Sequence, residues 1–325
     1  MNKNGKNVTS VRVPAADRLS AALPPITSDS RPAVLLVGNG INRADLHEDV
    51  IGLSWDEVIE KLEELNGVTD RHGLINKLPS SMKVIAATGG RVRECLSYIA
   101  DLTDSGDDPD PDSARGALWQ RAARLPVTHV ITTNYGFELE NMLVPGFTMR
   151  RSQNYLYHTG ADKDSLRAVL LNRFYKIPTE QGDKHFWHIH GSAYKPNSIV
   201  IDQYEYGKLV SYVVGSMQQT VGRILSAFKR GDAYIPKSWT DCFLTGDVYV
   251  LGFGMDPSEL DLWWLARCKA RKFPETKIYL FDKYVHEERK LMFPACGIEY
   301  VDVPAETDEE FYTKALDKIE SMLNR

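Results

Sequence analysis

Ala33-Val34-Leu35-Leu36-Val37-Gly38-Asn39-Gly40 is an unbroken apolar run followed by a tight glycine turn. A short apolar run bounded by glycine reads as a strand buried on both faces, the kind found in parallel sheets. The pattern returns at Val248-Tyr249-Val250-Leu251-Gly252-Phe253-Gly254. Related forms are Val130-Ile131 before Thr132-Thr133-Asn134, and His185-Phe186-Trp187-His188-Ile189 before His190-Gly191. In an open parallel sheet, ligands bind in the crevice beyond the carboxyl ends of the strands. These turns are therefore expected to meet there, in a pocket with phosphate-binding glycines, an amide and an imidazole.

Helical segments separate the strands. Ser54-Trp55-Asp56-Glu57 opens an amphipathic helix through Leu65, with Ser54 as N-cap and Glu57 completing a capping box. Further helices are predicted at 114–123, 203–230 and 307–323, and one starting at Asp256-Pro257-Ser258-Glu259 with an N-cap and an N1 proline. Lys277–Phe281 and Ile298–Val301 read as strands, 101–111 as an acidic flexible loop, and 145–184 has no single pattern. The alternation predicts a doubly wound, mostly parallel α/β sheet. Residues 1–30, polar and rich in Ser, Pro and Asn, read as a loose arm, and 31–325 as the domain, with a helical insertion lobe at about 202–245.

At 325 residues and 43% hydrophobic, the chain is long enough to bury a sizeable core. A net charge of −5 offers no general basic footprint for nucleic acid. The local basic run Arg267-Cys268-Lys269-Ala270-Arg271-Lys272 reads as a solvated helix end favoured by the dipole. No apolar run approaches the ~18 residues that span a membrane, and the basic N-terminus lacks the apolar stretch of a secretory signal. Cys95, Cys242, Cys268 and Cys296 are widely separated, as expected of reduced thiols in a cytoplasmic protein, and exclude a four-cysteine zinc ribbon.

Each candidate site residue has a plainer reading beside the functional one. Gly38 and Gly40 let the backbone approach a pyrophosphate, yet strand-to-helix turns need glycine anyway. Arg43 replaces the third glycine of a dehydrogenase fingerprint, and no acid-ended strand follows. Asn134 is either a pocket amide or the N-cap of a helix over Tyr135–Leu143. His185, His188 and His190 raise the question of a metal, but no convincing third ligand adjoins the alternating pair His188 and His190. His190, at a strand end before glycine, is the better general-base candidate. Asp282 suits ribose hydroxyls or a simple turn, and Trp263-Trp264 suits core packing more than a nucleobase platform.

Taken in order, these residues resemble the Sir2 (sirtuin) NAD-binding domain over residues 33 to about 302. Its glycine-rich loop would be Gly38-Asn39-Gly40-Ile41-Asn42, and its T-Q-N motif Thr132-Thr133-Asn134-Tyr135-Gly136. His190-Gly191 would be the catalytic histidine motif, Gly252-Phe253-Gly254 the later turn, and Asp282 the adenosine contact. The sequence is most similar to divergent Sir2-like proteins of bacterial antiphage systems. Only Cys242 lies between His190 and Gly252, where deacylases carry paired cysteines, and Gly52-Leu53-Ser54-Trp55 stands where they carry G-I-P-x-F-R. Gly136 replaces the acidic residue of the asparagine motif.

The resemblance implies an NAD glycohydrolase with Asn134 and His190 catalytic, acting on NAD as substrate and without zinc. Gly38, Asn39, Gly40, Asn42, Thr133, Tyr135, Gly252, Phe253, Gly254 and Asp282 would bind NAD. It also implies a homo-oligomer, with a companion ATPase (HerA-like) or a nucleic-acid sensor as partner. An NAD or ADP-ribose binding module without turnover is the alternative, followed by a protein-lysine deacylase.

Overall fold

Among the described residues nine strands form one sheet: β1 (Leu19–Ser20), β2 (Ala33–Val37), β3 (His129–Thr132), β4 (Leu156–His158), β5 (Arg173–Thr179), β6 (Gly182–His188), β7 (Asp247–Leu251), β8 (Ile278–Asp282) and β9 (Ile298–Asp302). Their order is β1-β4-β5-β6-β3-β2-β7-β8-β9. This computed structural model describes residues 19–20, 22–43, 55–70, 73–103, 110, 112–147, 153–162, 164–284 and 287–324.

From β6 to β9 every pairing is parallel. The chain winds outward from β2 through β3 to β6, then returns to β7 on the other side of β2 and continues to β9. That order is the doubly wound arrangement, and its switch point lies where β2 has β3 on one side and β7 on the other. Register levels the strand ends: Val37 pairs with both Thr132 and Leu251, and Thr132 with His188. The turns named from the sequence therefore leave the same edge. Residues 145–184, unassigned from sequence, contribute β4, β5 and the start of β6, an antiparallel extension beyond the parallel strands.

Alternation along the strands fills both faces of the sheet. Val34 and Leu36 of β2, with Val248 and Val250 of β7, pack under α7 (Gln203–Arg230), α8 (Trp239–Thr245) and α9 (Leu260–Lys272). Leu35, Val37, Tyr249 and Leu251 pack against α4 (Ala114–Arg124) and α11 (Asp308–Leu323). A third, smaller cluster joins α1 (Trp55–Asn66), α2 (Ser80–Ala87) and α3 (Val92–Thr103) to Ala193, Ile199 and Ile201.

Several expectations change. The 202–245 segment is not a separate lobe: Leu209, Val213, Met217 and Ile224 of α7 share the main core. The helices with an apolar cluster of their own are α1–α3. The loose arm does not reach residue 30, because Leu19 and Ser20 pair with Tyr157 and His158, and Leu23 and Ile26 are buried. Residues 1–18, Gly52–Ser54 with the expected N-cap, and 104–109 of the acidic loop lie outside the described residues, while 101–103 belong to α3.

The helix after β7 starts at Leu260, not at Asp256. Asp256 closes a turn on itself, accepting from the Ser258 amide at 2.9 Å, and Met255 has φ 49°. A non-glycine residue in that left-handed region interrupts helical backbone. Lys269 is no solvated charge. It is buried, donating from Nζ to the Phe243 and Leu244 carbonyls at 3.1 and 3.2 Å, so it caps the end of α8. Burial lowers its pKa to about 7.

Candidate functional site

The two glycine turns are zipped together. The Gly38 amide donates to the Leu251 carbonyl at 3.1 Å, and the Gly40 amide to the Gly252 carbonyl at 2.8 Å. A Cβ at Gly38 or Gly40 would lie 2.6 or 2.7 Å from the Gly252 oxygen. Glycine is thus required at both positions for contact between the turns, and their amides are already engaged. Asn42 is buried within the same scaffold. Its Oδ1 accepts from Trp119 Nε1 at 2.9 Å, and its Nδ2 donates to Asn39 Oδ1 at 2.5 Å. Asn39 and Gly254 are exposed, and Phe253 is half-buried against the core.

Asn134 stands after β3 on a backbone pinned from several sides. Its amide donates to Thr132 Oγ1 at 3.0 Å, and the Thr133 amide donates to the Val37 carbonyl at 3.4 Å. The Tyr135 carbonyl accepts from the Ala193 amide at 2.9 Å, while the Tyr135 hydroxyl donates to the Val200 carbonyl at 2.9 Å. The Asn134 carboxamide is half-buried, free of this bracing. No helix starts at this residue, since α5 spans Glu138–Leu143, so the N-cap reading fails.

The last brace is electrostatic. His188 Nδ1 lies 2.9 Å from the Asn134 carbonyl, and its Nε2 lies 2.9 Å from Glu140 Oε1. Both atoms facing the ring are acceptors, an arrangement that suits the doubly protonated imidazolium. Burial opposes that charge, but the Glu140 charge and hydrogen bond and the Asn134 carbonyl outweigh it and raise the His188 pKa above 6.5. Glu140 therefore acts on Asn134 through His188.

Gly136 offers no room for the carboxylate expected there. A Cβ would lie 2.5 Å from the Thr103 carbonyl oxygen and 2.9 Å from Glu138 Oε1. Gly136→Asp is accordingly expected to lower the melting temperature and to give no gain in any activity. A stable variant with raised turnover, measured by thermal unfolding beside an assay, would refute this.

His190 and the adjoining Gly191 end the β6 segment. The His190 carbonyl accepts from the Val200 amide at 2.8 Å. Gly191 has φ 88°, and a Cβ there would press on the Ser198 carbonyl and lie 2.7 Å from the Ile199 nitrogen. Gly191→Ala should cost more than the ~1 kcal/mol of an ordinary glycine replacement, because a wrong φ and a backbone clash add. Chemical denaturation of the variant checks it.

The His190 ring is buried among polar groups. Its Nε2 lies 3.2 Å from Asp261 Oδ2 and 3.7 Å from Glu259 Oε2, and its Nδ1 lies 3.4 Å from the Tyr206 hydroxyl. That hydroxyl also lies 3.2 Å from Glu259 Oε2. Burial disfavours the charged ring, but Glu259 and Asp261 overcome it and raise its pKa above 6.5. Burial pushes the Glu259 carboxyl up to about 7, with His190 pulling the other way and Asp261 adding to the rise. Asp261 Oδ1 is buried without a hydrogen-bond partner. These three residues are the one described group of histidine, cysteine and acidic side chains compact enough for a metal ion, with ligand atoms within 4.8 Å of one another.

A family model for the SIR2-like domain matches residues 128–301, more than half of the chain. The chain belongs to the SIR2-like family. No curated protein matches it. The matched segment runs from the start of β3 through most of β9 and carries Asn134, His190, the Gly252 turn and Asp282; the Gly38 turn precedes it. SIR2-like domains bind NAD, and this chain is a Sir2-family NAD-binding protein. Among the described residues no helix is long and apolar enough to cross a membrane.

In this SIR2-like domain the three histidines part company. His185 packs on His129 with ring centroids 5.0 Å apart, His188 turns to Glu140, and His190 to Asp261. Asp282 Oδ1 accepts from the Lys283 amide at 2.8 Å, closing its own turn. Trp263 is buried with its ring stacked on Phe293, while Trp264 is half exposed. Sequence reasoning missed Tyr206, Glu259 and Asp261 as site residues. The available signal was Glu259-Leu260-Asp261, paired acids just beyond a strand-end glycine turn, which the expected helix cap obscured.

Proposed function

We propose that this SIR2-like chain is an NAD glycohydrolase, converting NAD to nicotinamide and ADP-ribose. The observation that carries the reading is half-buried Asn134 on a braced backbone, followed by Tyr135, which lies within electrostatic reach of Glu259 in a buried histidine–carboxylate cluster. Cleaving the bond from ribose C1′ to nicotinamide passes through a cation-like transition state, which orientation and fixed dipoles stabilise. Asn134 holds the ribose or the attacking water, and the His190 cluster receives the proton that water loses. NAD lies along the Gly38–Asn42 and Gly252–Gly254 turns, with Thr133 and Tyr135 lining the floor and Asp282 at the adenosine end. No zinc takes part.

Gly136 supplies no carboxylate, and the amides of Gly38 and Gly40 are engaged, which together support slow basal turnover by the isolated chain. Fast NAD depletion then requires a trigger, in keeping with an antiviral role for a homo-oligomer working with a companion ATPase or a nucleic-acid sensor. The test is incubation of purified protein with NAD, with products resolved by chromatography. Equal amounts of nicotinamide and ADP-ribose, without any acyl-lysine peptide, are expected. Tight NAD binding without release would instead identify a binding module, the reading that Gly136 favours. Release only with an acylated peptide would identify a deacylase.

A further inference from the structure

His190 is poorly placed to touch a substrate. Its side chain is 3% exposed, and that of Asp261 is fully buried. Both ring nitrogens already face protein groups, Nε2 toward Asp261 and Glu259 and Nδ1 toward Tyr206. The Glu259 side chain, 15% exposed, is the acidic member of this group that reaches the surface. It also stands at the N-terminal edge of α9, directly after the loop that follows the Gly252 turn.

We propose that Glu259, rather than His190, is the general base of NAD hydrolysis, with His190 and Asp261 as buried groups that position and tune it. The inference rests on the glycohydrolase reading. As the C1′–N bond breaks, its electron pair leaves with neutral nicotinamide. Water oxygen bonds to C1′, and one water proton passes to Glu259, from which it returns to solvent. NAD⁺ and water thus become ADP-ribose, nicotinamide and one proton.

The groups facing Glu259 fit that role. His190 approaches from the end of β6, the Tyr206 hydroxyl from α7 and Tyr135 from the loop after β3; Asp261 and Asp256 lie on its own segment. Beside burial, His190 lowers and Asp261 raises the proton affinity of Glu259, so its two nearest partners pull in opposite directions. Its pKa of about 7 suits a base working near neutral pH.

The experiment measures kcat/KM for nicotinamide release by wild type and Glu259→Gln across pH 5 to 9, with NAD affinity by calorimetry. Wild type should lose rate as pH falls below about 7, where the base protonates. Glu259→Gln should cleave at least about 10²-fold more slowly, bind NAD with near-normal affinity and lack that acid limb. Glu259→Asp, which keeps the carboxylate, should retain partial activity with an acid limb. Wild-type rate and acid limb in Glu259→Gln would overturn the inference while leaving the glycohydrolase reading standing. A wild-type profile flat through pH 7 would do the same even if Glu259→Gln failed to fold. Activity lost to a chelator and restored by a divalent cation would also overturn it, giving the three residues to a metal. Wild type that releases no nicotinamide at any pH would overturn the glycohydrolase reading and this inference with it.

Discussion

Asn134→Ala should slow NAD cleavage about 10²- to 10³-fold while changing NAD affinity far less. A group that matters through its dipole near a developing cation contributes in the transition state more than in the ground state, and losing one such group costs this much. The fold should survive, because every brace on this loop reaches Asn134 or its neighbours through backbone atoms or through the Tyr135 hydroxyl. Single-turnover rates, NAD titration and thermal unfolding of the same preparation separate the terms. A folded variant that cleaves at wild-type rate would remove Asn134 from the mechanism. Equal losses in affinity and rate would assign it to ground-state binding.

Glu140→Ala should produce the largest loss of stability. The carboxylate is 1% exposed and pairs with an imidazole 4% exposed, so removal strands a buried donor and leaves a cavity. Breaking a buried pair by deleting one partner costs about 3–5 kcal/mol. The pH dependence has a definite sign. His188 has a folded pKa raised above 6.5, so the pair's contribution is fully present below 6.5 and is lost as pH rises through the folded value. The gap in unfolding free energy between wild type and Glu140→Ala should therefore be widest in mild acid and narrow as pH rises. Glu140→Gln, still able to accept from His188, should lose less. Denaturant melts at a series of pH values measure this, and a gap that widens with pH would contradict the charged pair. Because His188 also holds the Asn134 carbonyl, both variants should cleave NAD more slowly than their stability alone explains.

The sequence was a good guide wherever a short apolar run ended in glycine or a small polar residue. Those runs became β2, β3, β6, β7, β8 and β9, within a few residues of the expected bounds. Their order across the sheet, and with it the switch point at β2, came from the fold. Local chemistry misled where two local readings competed. Asp256-Pro257-Ser258-Glu259 has the residues of a helix start, yet Asp256 turns on itself and the helix waits until Leu260. The basic run at 267–272 resembled a solvated helix end, yet Lys269 is swallowed by the carbonyl ends of α8.

What the sequence determined by itself is the set of parallel strands and the four turns at one edge of the sheet, including Asn134 and His190. Periodicity and glycine placement are local properties, so they are written in consecutive residues. The partners of those residues were decided only by the tertiary structure. Glu140 meets His188 across 48 residues, and Asp261 meets His190 across 71. Each contact depends on how strands and helices are stacked, which no window along the chain records. The same holds for Gly136, where only packing against the Thr103 carbonyl shows that the missing carboxylate has no space to occupy. A charge buried beside another raises or lowers a proton affinity only when folding has brought the two together and shut out the water between them.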